Sequence, residues 1–412
     1  MDSPTTILEA IVFLDLFAAG LIVPQLPPQA RALGCNYVLV GFMTAVYAAF
    51  QFASGPLTGS LSDLKGRKPT LLLTLALSGA AYVLLGLTSS IALFLGLRAL
   101  LGIFKHTQQL VKSLAPGYIK DENELSPLYK KLGTWKQAGM TLGPIVGGHI
   151  MEMNPENGFT VLAVLVGTIF AINSGLARKL PTNETKENKN EDTSIQELAP
   201  KLVNSVTNHF TESLEQFKKM NWETYGDVFA LKLLLSLATA VYFSNFTLYL
   251  KSNYDASPVA IGYVTSLLTA TGAICVYCIE YINGQYAEDN DFSERAKHIF
   301  SLLTVALIGM AIAQNISLYV VFVLPLAASI AVGRLVTLEM VLSKTNENQK
   351  ATALNVAENL RSLSGVIAPL FVGVVSELFG VTLGIYIAIS LAGFGVYRIY
   401  KIKEGGKTAK KK

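Results

Sequence analysis

Apolar stretches of about 20 residues, each long enough to carry a helix across the hydrocarbon core of a bilayer, recur twelve times along this chain of 412 residues. They run over 7–26, 38–57, 70–88, 90–110, 132–150 and 159–177 and, after a polar interval, over 228–250, 259–282, 298–313, 318–342, 354–375 and 382–400. In hydrocarbon a backbone must satisfy its own amides and carbonyls, so the expected fold class is an all-α membrane protein of twelve transmembrane helices in two six-helix bundles. Charge agrees: 15% of the residues are charged, against about a quarter in an ordinary soluble domain. The expected organisation is a first bundle over 1–178, a cytoplasmic linker over 179–226, a second bundle over 227–400 and a basic cytoplasmic tail over 401–412.

Orientation follows from where the cations fall, because cytoplasmic loops retain Lys and Arg. With the N-terminus inside, about 25 of the 33 basic residues lie in cytoplasmic loops or the tail, and only Arg31 and Lys251 face outward. Both termini are therefore expected in the cytoplasm, with the first span retained as the insertion signal. The membrane itself, plasma membrane or endomembrane, stays open: the sequons at Asn183 and Asn315 do not localise the chain. Within the linker, Leu202, Val206, Phe210, Leu214 and Phe217 recur at helical spacing, as in an amphipathic helix lying along a lipid surface. Cys275 and Cys278 sit i,i+3 in an apolar stretch and read as packing residues. No run of Lys or Arg is interleaved with aromatics, and the four histidines form no nucleophile, base or metal-ligand set. Nucleic acid, metal, cofactor and an enzymatic role are all unexpected.

A displacement of 225 residues places Gly59 on Gly284, Asp63 on Glu288, Pro144 on Pro369 and Gly148 on Gly373, each pair on equivalent spans or loops. That is the mark of duplicated halves. Six spans per half gives both the same orientation, and two such bundles face each other around a central pathway.

The loop after the second span reads Gly59-Ser-Leu-Ser-Asp63-Leu-Lys-Gly66-Arg67-Lys68. It resembles the G-x-L-x-D-x-x-G-R-K signature of the major facilitator superfamily and lies in the cytoplasmic loop that the family requires. The resemblance implies a cytoplasmic latch of Gly59, Asp63, Gly66, Arg67 and Lys68. Its candidate partners are the start of the eleventh span near Asn355 and the acidic run Asp121, Glu122 and Glu124. Leu64 departs from the family pattern, which often has a basic residue there.

Two more motifs point the same way. Arg98-Ala-Leu-Leu-Gly102 in the fourth span resembles the family's R-x-x-x-G, and an Arg at that depth costs at least about 2.5–3.5 kcal/mol to insert, so a partner or a wet cavity is expected. Gly139, Gly143, Pro144, Gly147 and Gly148 in the fifth span resemble the motif of the antiporter branches and also suit close helix packing. The first span, Phe13 to Pro27, resembles that of bacterial tetracycline/proton antiporters, including Asp15. Segments 102–107, 242–246 and 333–334 resemble an animal branch of the superfamily.

The resemblance places spans one, four, seven and ten along the pathway. Asp15, Arg98 and His106 are the candidates for proton coupling, although Asp15 can equally be a structural carboxylate paired to another helix, and His106 a hydrogen-bonded structural residue. Lys105, Lys232, Tyr242, Asn245, Arg334 and Glu339 are the candidates for the substrate cavity; Lys105 and Arg334 can attract an anion, pair with Glu339 or stabilise a cytoplasmic gate. Glu358 and Arg361 are placed to pair with each other. The implied function is secondary transport of a small organic solute by alternating access, with proton antiport. The alternatives are an uncoupled facilitator of an organic anion and a nontransporting receptor or scaffold. The expected partners are a small-molecule substrate, protons and membrane lipid, with the protein monomeric.

Overall fold

The computed structural model describes residues 3–119, 121–182, 207–208, 211–289, 291–346 and 349–409, and the regular structure among them is helical throughout. Helix α1 (Pro4–Ile22) passes through a 3-10 turn (Val23–Gln25) into α2 (Leu26–Ala32). It is followed by α3 (Tyr37–Lys65), α4 (Arg67–Leu87), α5 (Ile91–Phe104), α6 (Thr107–Leu114), α7 (Leu125–Met153) and α8 (Gly158–Lys179). The later part comprises α9 (Trp222–Tyr254), α10 (Pro258–Tyr277), α11 (Ile279–Gly284), α12 (Ser293–Ile312), α13 (Ile316–Lys344), α14 (Lys350–Phe379) and α15 (Leu383–Ala409).

Among the described residues, ten helical stretches are long and apolar enough to cross a membrane. Two of the twelve expected spans fall outside that set, for different reasons. The fourth is not one helix but two, α5 and α6, separated at Lys105 and His106. The fifth, α7, has 29 residues, but its glycines, Lys136 and His149 dilute its apolar character. The eighth span also departs from expectation, breaking at Cys278 between α10 and α11. Of the expected linker helix, Leu202, Val206 and Phe210 lie outside the described residues, as do Asn183 and the last three lysines of the tail. Leu214 and Phe217 are exposed.

The chain forms two compact units, one of Met1–Gly34, Val46–Thr211 and Ser257–Ser266, the other of Cys35–Ala45, Glu212–Ala256 and Leu267–Lys412. In the first, α1 packs along α7 through a glycine seam. A methyl group at Gly139 would come within 2.6 Å of the Phe13 carbonyl oxygen and one at Gly143 within 2.6 Å of that of Phe17, while one at Gly147 would collide with that of Leu21. Both series advance by four residues, so the helices run parallel, backbone against backbone. Alongside them α4 packs on α8, where Thr160 Oγ1 donates to the Gly86 carbonyl at 2.7 Å. In the second unit Gly395 and Gly309 make room for the rings of Phe300 and Phe322. There the hydroxyls of Tyr242 and Tyr319 meet at 3.1 Å.

The duplication has a structural counterpart that includes a pair of acids. In the first unit Gly262 abuts the Pro144 carbonyl, Gly148 abuts Pro258 and Val259, and Glu152 Oε2 accepts from the Val259 amide at 3.2 Å. In the second unit Gly41 abuts the Pro369 carbonyl, Gly373 abuts Tyr37 and Gly41, and Glu377 Oε2 accepts from the Tyr37 amide at 2.8 Å. Glu152 and Glu377 are separated by the same 225 residues as the prolines and glycines. Each thus satisfies an otherwise free amide at a helix N-terminus, where a negative charge also complements the helix dipole. Glu152→Gln and Glu377→Gln are each expected to cost about 0.3–1 kcal/mol. Sharing no partner, they should add in the double variant, lowering the thermal midpoint of the purified protein. A double variant as stable as the parent would refute the capping role.

Candidate functional site: a broken helix around a buried ion pair

The break between α5 and α6 organises the polar interior of the first unit. Lys105 has φ −78° and ψ 63°, the geometry of an inverse γ-turn, and the His106 amide donates back to the Phe104 carbonyl at 2.8 Å. No proline or glycine stands at 105 or 106; side chains of α3 support the turn instead. Gln51 Nε2 donates to the Lys105 carbonyl at 3.1 Å, and Ser54 Oγ donates to the Gly102 carbonyl at 3.3 Å. They reach these carbonyls because Gly102 lacks a side chain: a methyl there would lie 2.5 Å from the Tyr47 carbonyl oxygen. The glycine of the R-x-x-x-G motif therefore serves helix approach, and the break it permits is where the charge sits.

From the two sides of the turn, Lys105 and Gln108 converge on Asp15 of α1. Lys105 Nζ lies 2.5 Å from Asp15 Oδ1, and Gln108 Nε2 donates to Asp15 Oδ2 at 2.9 Å. The carboxylate is fully buried and the lysine side chain 9% exposed. The Phe170 ring of α8 lies 5.1 Å from the ammonium, centroid to nitrogen. Asp15 is thus paired to another helix, by Lys105 rather than Arg98. Lys105 pairs with Asp15 and not with Glu339. His106 is buried and held between Ser54 Oγ at 2.8 Å and Gln109 Oε1 at 3.0 Å, the hydrogen-bonded arrangement. Arg98, also buried, lies with its guanidinium carbon 4.3 Å from the Tyr47 ring centroid.

The latch residues act inside the first unit. Gly66 has φ +93° between α3 and α4, a conformation that favours glycine. Arg67 donates to the Ser113 carbonyl at 2.6 Å and Lys68 to the carbonyls of Arg178 and Leu180, so these cations cap main-chain ends. Asp63 is exposed. Nothing lies within 4 Å of a methyl placed at Gly59, so this glycine makes no close helix contact.

In the second unit Lys232 is buried and approaches the Arg334 carbonyl at 3.5 Å. Asn245 Nδ2 donates to the Val381 carbonyl at 2.5 Å, and Tyr242 is stacked on Phe246. Glu339 approaches Arg295 at 4.0 Å rather than Arg334. Arg295 also pairs with Asp289 at 3.3 Å and donates to Asn283 at 2.9 Å. In the same loop, burial pushes the Asp291 carboxyl up, but hydrogen bonds from Ser293 outweigh it and hold the group below its ordinary value. Glu358 and Arg361 pair at 3.0 Å, as their spacing implies. Among the described residues no disulfide joins the three cysteines, and no cluster able to hold a metal occurs.

Sequence reasoning missed Gln51, Ser54, Tyr47, Tyr82 and Gln108. The available signal is their polarity within apolar spans, but α3 and α4 are not among the pathway helices that the resemblance implies, and Gln108 lies beyond a break that no proline or glycine announces.

The profile of the Major Facilitator Superfamily matches residues 8–369. The class B tetracycline resistance protein of Escherichia coli is 32% identical over 204 residues, 48% of this chain and 49% of that protein. The chain thus spans about half the length of the first curated relatives it matches. The class H tetracycline resistance protein of Pasteurella multocida is 24% identical over 386 residues, 90% of this chain and 88% of that protein. Among solved structures, the human organic anion transporter MFSD10 superposes with a TM-score of 0.60 at 19% identity, covering 96% of this chain and 98% of that one. An inward-facing bacterial homologue of the human lysosomal transporter Spinster superposes with a TM-score of 0.77 at 12% identity, covering 96% and 95%.

Proposed function

Because the chain belongs to the Major Facilitator Superfamily, we propose that this integral, multi-pass membrane protein is a secondary transporter that exchanges a small organic solute for protons by alternating access. The moving bodies are the two bundles of 1–178 and 227–400, with both termini in the cytoplasm and Gly66, Arg67 and Lys68 steadying the cytoplasmic end of the first. The protein works as a monomer in contact with lipid.

One observation carries the proton coupling: a fully buried carboxylate, Asp15, held by a lysine at a break in a membrane helix. Intramembrane ionisable groups are costly and are kept where ions move, and interrupted helices offer unpaired backbone groups at membrane depth. With Asp15 ionised, the pair is neutral and ties α1 to α5. A proton on Asp15 removes the attraction and frees the Lys105 ammonium, so the two protonation states favour different arrangements of the same helices. A ligand shifts such an equilibrium only through its different affinity for the two states, and exchange requires the solute to favour the arrangement in which Asp15 is ionised. The resemblance of the first span to tetracycline/proton antiporters supports this reading.

In proteoliposomes, an imposed pH gradient is expected to drive solute flux through the wild-type protein and to fail to do so through Asp15→Asn, which still exchanges solute between its two sides. Gradient-driven accumulation that persists in Asp15→Asn would overturn coupling at this residue. If the wild-type flux is itself indifferent to the gradient, the protein is an uncoupled facilitator.

A further inference from the structure

Arg98 is a buried guanidinium without an anion. Its side chain lies inside the first unit at 5% exposure, its Nε is enclosed with no acceptor, and among the described residues no carboxylate or carbonyl bonds to it. What it has is the Tyr47 ring, 4.3 Å from its guanidinium carbon. An aromatic ring engages the flat face of a guanidinium and leaves its rim of N–H donors free. A buried charge lacking a counter-charge costs several kcal/mol, and the fully buried carboxylate of the first unit, Asp15, is already taken by Lys105 and Gln108. Among the described residues the charges enclosed in the first unit are therefore Arg98, Lys105 and Asp15, two cations against one anion.

We propose that Arg98 binds the carboxylate of a monoanionic organic substrate, gripping it through the guanidinium rim while the rings of Tyr47 and Tyr82 contact its apolar body. This deepens the transport reading above and rests on it. A planar carboxylate matches the guanidinium fork in two parallel hydrogen bonds, and a single negative charge balances the interior. Tyr82 is almost fully buried and packs against Phe170, so the wall is aromatic and apolar, which suits an organic acid better than an inorganic ion. Lys105 follows Arg98 by seven residues, which on a helix is two turns along the same face.

The test is ligand binding to the purified full chain in nanodiscs, followed by calorimetry and thermal shift. The probes are benzoate, octanoate and 2-naphthoate, with 2-naphthamide as the uncharged control. At least one carboxylate is expected to bind the wild-type protein, the amide to bind far more weakly, and Arg98→Gln to weaken the carboxylate about 10- to 100-fold. Should Arg98→Gln not purify as a monodisperse protein, Arg98→Lys, which keeps the charge and loses the fork, is read instead and should bind several-fold more weakly. The proposal is overturned if none of the carboxylates binds the wild type, if the amide binds as tightly as the acid, or if the Arg98 variant retains wild-type affinity. Because binding is read without a pH gradient, failure here is distinct from failure of proton coupling, which only the flux through Asp15→Asn reports.

Discussion

Replacing Lys105 with methionine is expected to be among the most destabilising single substitutions in the chain. It removes the cation from a carboxylate that is fully buried and leaves Asp15 with the Gln108 amide alone. Breaking a buried ion pair from one side costs about 3–5 kcal/mol, because the surviving charge has neither water nor a partner. The same principle makes the rescue informative. In Asp15→Asn/Lys105→Met both charges are gone, the amide can still accept from Gln108, and the methionine fills much of the lysine's volume. The double variant should recover most of the lost stability, and the thermal midpoint of the purified protein reports it. If Lys105→Met alone unfolds at the wild-type temperature, Asp15 is not held as the geometry indicates. If the double variant is no better than the single one, the loss came from packing of the lysine stem rather than from the orphaned charge.

The second large effect concerns the seam between α1 and α7. A valine at Gly143 would place its first carbon 2.6 Å from the Phe17 carbonyl oxygen and 2.7 Å from the Gly20 Cα, closer than unbonded atoms approach. Neither obstacle is the free end of a side chain, so the helices must separate along much of their contact. Overpacking of this kind typically costs about 1–3 kcal/mol, and more where backbone opposes it. Gly143→Val and Gly147→Val are expected to lower the yield of monodisperse protein sharply. Gly175→Val should have little effect, since nothing lies within 4 Å of a methyl group there. Equal yields for all three would show that the seam opens without cost. Because α1 carries Asp15, a partial separation that still permits folding should also weaken the Asp15–Lys105 pair.

Most of the spans were legible because their signal is local and strong. Long apolar runs admit one solution in a bilayer, and the duplicated prolines and glycines mark equivalent places in the two halves. The glycines of the fifth span were readable as packing residues, although their partners were not. The acids of the duplication, Glu152 and Glu377, went unread because a shared residue type at one offset says nothing until both are seen to cap a helix start. The break at Lys105 was illegible for another reason. It is held by Gln51 and Ser54 from a neighbouring helix, and hydrogen bonds across 54 and 48 positions leave no trace in local propensity. For Glu339 depth was readable but not direction: its nearest cation is Arg295 of α12 rather than Lys105 or Arg334.

By itself the sequence determined the class of protein and the places where charge enters its apolar spans, since hydropathy and the position of a buried Asp, Arg or Lys are properties of the chain. Only the tertiary structure decided which charges meet. Lys105 neutralises Asp15 because α5 ends one residue earlier and turns its side chain toward α1, and Arg98, two helical turns away on the same face, is left with a ring and no anion. Pairing at that scale is set by how helices cross and where they break. That is why the same list of polar residues yields a satisfied ion pair at the end of α5 and an open guanidinium halfway along it.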